Sequence, residues 1–110
     1  MKQLAPIIVS RHPAGVAFIR QHLPNNGEGV PVMSSVTAED IRGKEVFGGG
    51  DIPLFVAAQA VIVWAIEFKG PAPRGEYSLE DMLQAGAYLA PYVVRTWDQD
   101  PDRRTTPWPV

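Results

Sequence analysis

Cysteine is missing from all 110 residues, which excludes a disulfide framework and thiol chemistry and fits a reducing compartment. Histidine occurs only twice, and the scattered acids add none of the spacings that hold zinc, so neither metal nor cofactor is expected. A surplus of positive charge is also lacking. A net charge of −2 and a pI near 5.6 argue against a coat for long nucleic acid. A small anion held by a few arginines and backbone amides remains open. No apolar run is long enough to cross a membrane: the longest, around residues 61–66, is preceded by Gln59 and bounded by Asp51 and Glu67. The opening Met1-Lys2-Gln3-Leu4 lacks the basic and apolar regions of a secretion signal. The expectation is a cytoplasmic protein with no internal repeat and no interdomain linker.

What is present is enough apolar material for one core, 45% of the chain. Residues 6–10 (PIIVS) form a short β-branched run that reads as a buried strand. His12-Pro13 opens a helix, because proline costs nothing in a first turn, and Pro24-Asn25-Asn26-Gly27 ends it. Residues 30–36 read as a second strand and Thr37 to Asp40 as a capped turn. Residues 44–47 read as a third strand, and Gly48-Gly49-Gly50 follows. A helix over 54–60, with Asp51 as its cap, leads into the strand at 61–68 (VIVWAIEF). Its near-continuous apolarity suits a central strand covered on both faces. After a loop over 69–77, Ser78 and Asp81 make a second capping box for a helix reaching about Ala90. Pro91 closes that helix, and residues 92–97 read as a last strand. The polar, proline-rich tail from Asp98 has the composition of a mobile extension. Strands alternating with helices imply one α/β, Rossmann-like domain over residues 1–97. Its mostly parallel sheet has about five strands, with helices on both faces.

In such sheets ligands gather beyond the carboxyl ends of the strands. Three segments follow strands and are expected to meet there: Ser10-Arg11-His12, then Gly48 to Asp51, then Lys69 to Glu76. They bring hydroxyl, guanidinium, imidazole, ammonium and carboxylate groups together with helix N-termini, whose free amides attract phosphate. Plainer roles exist for each. Ser10 also suits a helix cap, Arg11 a solvated surface charge and His12 a turn. The triple glycine suits a flexible turn, and it is no Walker loop, because no Gly-Lys-Ser/Thr follows. Arg74-Gly75-Glu76 suits a local ion pair, His22 a partner for the helix dipole, and Trp64 the core.

The segments I-I-V-S-R-H-P-A-G (7–15), the glycine stretch with Ile52-Pro53-Leu54, and R-G-E-Y-S-L-E-D-M-L-Q-A-G-A-Y-L-A-P-Y-V-V (74–94) carry a family likeness. Over about residues 6 to 97 the chain resembles the small CRISPR-associated ring nucleases of type III systems, in the Csx family numbered sixteen. The resemblance implies a homodimer related to the CARF-type Rossmann-like sensor domains. Such a dimer opens cyclic oligoadenylate, typically the tetra-adenylate messenger, without a metal and so silences the nucleases it activates. The chain departs from that pattern between Pro53 and Val61, where the stretch is short and lacks a glycine-rich turn.

A metal-free cut can use the neighbouring 2′-hydroxyl as nucleophile, held in line with phosphorus and the departing 5′-oxygen. In that scheme Arg11 and the helix-start amides near Ala14 and Gly15 stabilise the phosphorane oxygens, and Ser10 orients phosphate or 2′-hydroxyl. His12 acts as general acid or base. The glycine segment (Gly49, Gly50, Asp51), Lys69, Arg74 and Glu76 are the expected substrate contacts. Rival readings are a non-catalytic sensor of the same ligand, a phosphohistidine-type phosphatase built on Arg11-His12, and an inhibitor that offers a surface to another protein. The phosphatase lacks a well-placed second histidine, because His22 falls on the first helix.

Overall fold

A computed structural model of the chain describes residues 4–48 and 52–96. Their order is β1 (Pro6–Val9), α1 (Pro13–Gln21), β2 (Val32–Met33), α2 (Ala38–Ile41), β3 (Glu45–Gly48), α3 (Leu54–Ala57), β4 (Ile62–Phe68), α4 (Leu79–Gln84) and β5 (Ala87–Tyr92). A 3-10 turn, Pro24–Gly27, follows α1. The five strands form one sheet in the order β2-β1-β3-β4-β5. Neighbours pair in parallel except β4 with β5, which are antiparallel. The α/β architecture with a mostly parallel sheet is therefore the one expected, in one of the two common doubly wound strand orders.

Alternation along the strands sorts the core into two halves. Ile7, Val9, Val46 and Val63 face one side, where Ile41 of α2 and Val56 of α3 bury them. Ile8 and Phe47 face the other, against Ile19 of α1. On that second side α1 contacts α4, and Phe18 and Met82, one from each helix, are fully buried. Trp64 belongs to this side as well. Its ring stacks on Phe47 with centroids 6.2 Å apart, and its Nε1–H donates to Glu45 at 2.8 Å. The helices start where local chemistry directs. Pro13 occupies the first turn of α1, and Thr37 with Asp40 and Ser78 with Asp81 close complete capping boxes.

Three expectations need correction. The second strand is two residues, Val32–Met33, not seven, so Ser34 and Ser35 lie past its end. The helix before β4 is one turn, Leu54–Ala57, with Pro53 at its cap position; Asp51, expected there, lies outside the described residues, as does the tail. The last helix stops at Gln84, and the segment read as its continuation is β5. Gly86, at φ 79°, ends the helix in the left-handed conformation that glycine adopts freely. Six helical residues advance only about 9 Å, less than half the rise of a seven-residue strand. The chain enters β5 from the end at which it left β4, and the two strands pair antiparallel. Pro91 sits inside β5 rather than ending a helix, a position open to proline because the strand is an edge.

At the carboxyl ends of β1 and β3, Gly48 pairs with Val9. Its φ is 94°, and a Cβ built on it falls onto the Val9 carbonyl oxygen. Both facts demand glycine. Gly48→Ala is expected to lower unfolding free energy by at least about 2 kcal/mol, read from chemical denaturation midpoints; an unchanged midpoint would contradict the close approach.

Candidate anion-binding cleft at the strand switch point

β1 is followed in space by β2 on one side and β3 on the other. Connections leaving their carboxyl ends diverge, and the gap between them is the site such sheets use for ligands. Here that gap is a cleft of about 390 Å³, within the range of about 300–1,000 Å³ usual for small-molecule sites. Val9, Ser10 and Gly48 form its floor, and Ala65 and Ile66 of β4 form one wall.

Ser10 does not cap α1. The cap position is His12, whose side chain makes no capping bond. Instead Ser10 Oγ accepts from the His12 amide at 3.1 Å and donates to the His12 carbonyl at 3.3 Å, a turn closed by a hydroxyl two residues upstream. Helix geometry leaves the amides of Ala14 and Gly15 without intrahelical acceptors. Gly15 lines the cleft, and a Cβ there would stand 3.0 Å from Ser10 Oγ. Gly15 is itself buried, and its lack of a side chain leaves room for the Ser10 hydroxyl against the helix start. The Arg11 Nε–H donates to the Ser34 carbonyl at 3.3 Å, tying the exit of β1 to that of β2. Among the described residues no carboxylate pairs with Arg11. His12 is exposed, and its ring stacks on Tyr77 at 4.9 Å with planes 13° apart. Arg11 and His12 thus line a cleft in which, among the described residues, no acid takes part. A cation, helix-start amides and the hydroxyls of Ser34 and Ser35 suit an oxyanion; the Ser10 hydroxyl hydrogen is held by the His12 carbonyl.

The structure brings Ser10, Arg11, His12 and Gly15 together and places Ala14 beside them in the first turn of α1. Gly49, Gly50 and Asp51 lie outside the described residues, although Gly48 and Ile52 on either side of them line the cleft. Lys69, Arg74 and Glu76 are exposed and do not line it. The cause is the length of β4, whose last pair with β3 is Trp64 with Phe47. Lys69 lies five residues beyond, about 16 Å along an extended chain. From that loop the cleft receives Tyr77 instead. Ser34, Ser35 and Tyr77 are the residues sequence reading missed. The two serines obey the same rule that marks Ser10, since they directly follow a strand, but the strand expected over 30–36 runs through them. His22 plays no part in the cleft: it ends α1, with its ring against Phe18 and Nδ1 2.9 Å from the Phe18 carbonyl.

A second polar group lies on the β4–β5 hairpin. Tyr88 donates to one Glu67 carboxylate oxygen at 3.2 Å, and Tyr92 donates to the other. Both phenols are pushed above the usual tyrosine range, first by the hydrogen bond to Glu67 and then by desolvation and the carboxylate's charge. No group of three or more potential ligand residues that could hold a metal ion occurs among the described residues, and no helix among them is long and apolar enough to cross a membrane.

Comparison with protein-family models, with curated proteins and with solved structures finds no match to this chain. Fold and site together define a doubly wound α/β domain with an anion-suited cleft at its switch point.

Raised phenol pKa values mean that the folded state keeps protons the unfolded state gives up. The hydrogen bonds to Glu67 are therefore intact below the ordinary tyrosine pKa and fail as pH rises through the raised values. Two of the three tyrosines should form phenolate later than free tyrosine in an absorbance titration. Glu67→Gln should advance them; coincidence of the two curves would refute the pairing.

Proposed function

We propose that this protein is a metal-independent ring nuclease. Its substrate is cyclic oligoadenylate, cyclic tetra-adenylate first, which it opens to linear products ending in a 2′,3′-cyclic phosphate, so ending type III CRISPR signalling. One observation carries the reading: Ser10, Arg11, His12 and the helix-start glycine Gly15 line a single cleft free of acids among the described residues. The sequence resemblance supplies the identity of the ring. In the reaction the 2′-oxygen attacks phosphorus, the bond to the 5′-oxygen breaks, and the proton lost by the 2′-hydroxyl ends on that leaving oxygen. Arg11 and the amides of Ala14 and Gly15 stabilise charge on the non-bridging oxygens, Ser10 orients the phosphate, and His12 shuttles the proton. A two-fold ring suits a two-fold pair of subunits, so the protein acts as a cytoplasmic homodimer in this reading.

Positioning alone can supply about 7–11 kcal/mol, which makes the role of His12 separable from that of Arg11. Arg11→Ala is expected to slow cleavage by about 10²–10³-fold. If His12→Ala retains most activity, the enzyme works by positioning; a comparable loss assigns His12 the proton transfer.

A second reading has its own support. The Ser10 hydroxyl is engaged by the His12 backbone and the His12 ring lies flat on Tyr77, so neither is aimed at the other as a nucleophile–base pair. That arrangement also fits a sensor that binds the ring without cutting it. Incubating the protein with cyclic tetra-adenylate and EDTA, then separating the products by chromatography, decides between them. Linear products are expected; a ring bound but intact after long incubation would make the protein a sensor.

A further inference from the structure

The Glu67 cluster lies two residues along β4 from Ala65, which lines the cleft, a separation of about 7 Å. In the β4–β5 register Glu67 faces Tyr88, Ala65 faces Ala90, and Val63 faces Tyr92. These residues alternate onto one face of the hairpin. To reach Glu67, the Tyr92 side chain must run along that face across the Ala65–Ala90 pair, where only methyl groups lie beneath it. Two hydroxyls donating to separate oxygens of one carboxylate hold both rings by their polar ends. Tyr88 is nonetheless 38% exposed and Tyr92 46%. Aromatic surface is thus fixed in place and left open to solvent at the margin of a cleft suited to phosphate.

Resting on that phosphate reading, we propose that Glu67, Tyr88 and Tyr92 form the shelf that reads the base of the same ligand, a base carrying an exocyclic amino group such as adenine. An open tyrosine face accepts a base by stacking. Each Glu67 oxygen takes one phenol hydrogen and keeps a lone pair, so the carboxylate can still accept from an amino group. A keto oxygen in that place meets acceptor against acceptor and is refused. Charge orients the ligand in the same sense. Arg11 and the helix-start amides draw phosphate to one end, while the negative carboxylate repels it from the other. The cleft is bordered from both faces of the sheet, by Gly15 on the α1 side and by Val36 and Ile52 on the other. A nucleotide can therefore lie over the strand ends with its phosphate beside Ser10 and its base toward Glu67.

Calorimetric titration with AMP, IMP and ribose 5-phosphate tests the shelf. IMP replaces the amino group by a keto oxygen, and ribose 5-phosphate has no base. The unaltered protein should bind AMP about tenfold more tightly than either of the others. Tyr92→Leu should bring AMP to the level of ribose 5-phosphate. Glu67→Gln, whose amide can also donate, should erase or invert the preference for AMP over IMP without changing ribose 5-phosphate binding. Circular dichroism verifies that both variants fold. If AMP binds no better than ribose 5-phosphate, or Glu67→Gln keeps the preference, the shelf is wrong while the phosphate cleft stands. If the unaltered protein binds none of the three, the cleft reading falls and takes the shelf with it.

Discussion

The backbones of β1 and β3 meet at Val9 and Gly48 with no room for a side chain between them. Everything at the site follows from that contact. Because the two strands end side by side, the connections that leave them must part, Ser10 toward α1 on one face and Ile52 toward α3 on the other. Small residues, Ser10, Gly15, Ser34, Ser35 and Gly48, line the space opened by that parting, beside the larger side chains of Arg11, His12 and Tyr77. Gly15 repeats the constraint one layer up, against Ser10 Oγ. Two glycines far apart in sequence thus keep one surface clear, the first under conformational and steric demand, the second under steric demand alone.

The other wall comes from unequal strand lengths. β4 runs seven residues against four in β3, so among the described residues its second half pairs with β5 alone. That overhang stabilises itself across the hairpin: Leu89 faces Ile66 on the side of α1, and the two tyrosines lock onto Glu67 on the other. Pro91 lies at the exposed border of the hairpin, where its missing N–H discourages the addition of a further strand. The overhang also decides which basic residues serve the cleft. It carries Lys69 and Arg74 away from it and leaves Arg11 as the cation that lines it among the described residues.

Much of this was legible in the chain. The β-branched run before Ser10, the proline after His12 and the two capping boxes each act within a few residues, so local pattern suffices to place β1, α1, α2 and the start of α4. The apolar run at 61–68 marks β4 for a similar reason: seven residues buried to varying degrees on both faces leave little room for polar ones. What local pattern could not reach was pairing. Ala85-Gly86-Ala87-Tyr88-Leu89-Ala90 has the composition of a helix, and it becomes a strand because Glu67 and Ile66 of a distant segment lie opposite Tyr88 and Leu89. Glycine at 86 was the available signal, since a left-handed residue there stops a helix. The site divided along the same line. Ser10 to Gly15 was found because it depends on one strand end, whereas Tyr77 and Glu67 depend on where a hairpin projects in space.

Arg11 holds two duties at once, and the division sets how its chemistry should be understood. Its Nε–H is spent on the Ser34 carbonyl, which fastens the two-residue β2 to the end of β1. Its terminal nitrogens have no carboxylate partner among the described residues and can form the planar fork that matches two phosphate oxygens. The anchoring bond costs the ligand nothing and restricts the side chain before the ligand arrives, so less freedom is lost on binding. A lysine could neutralise the same charge, but it has no Nε–H to give to Ser34 and its ammonium offers no fork. Arginine therefore suits the position twice, once for the anchor to Ser34 and once for the proposed anion. The weak edge strand and the cleft are coupled through that one side chain.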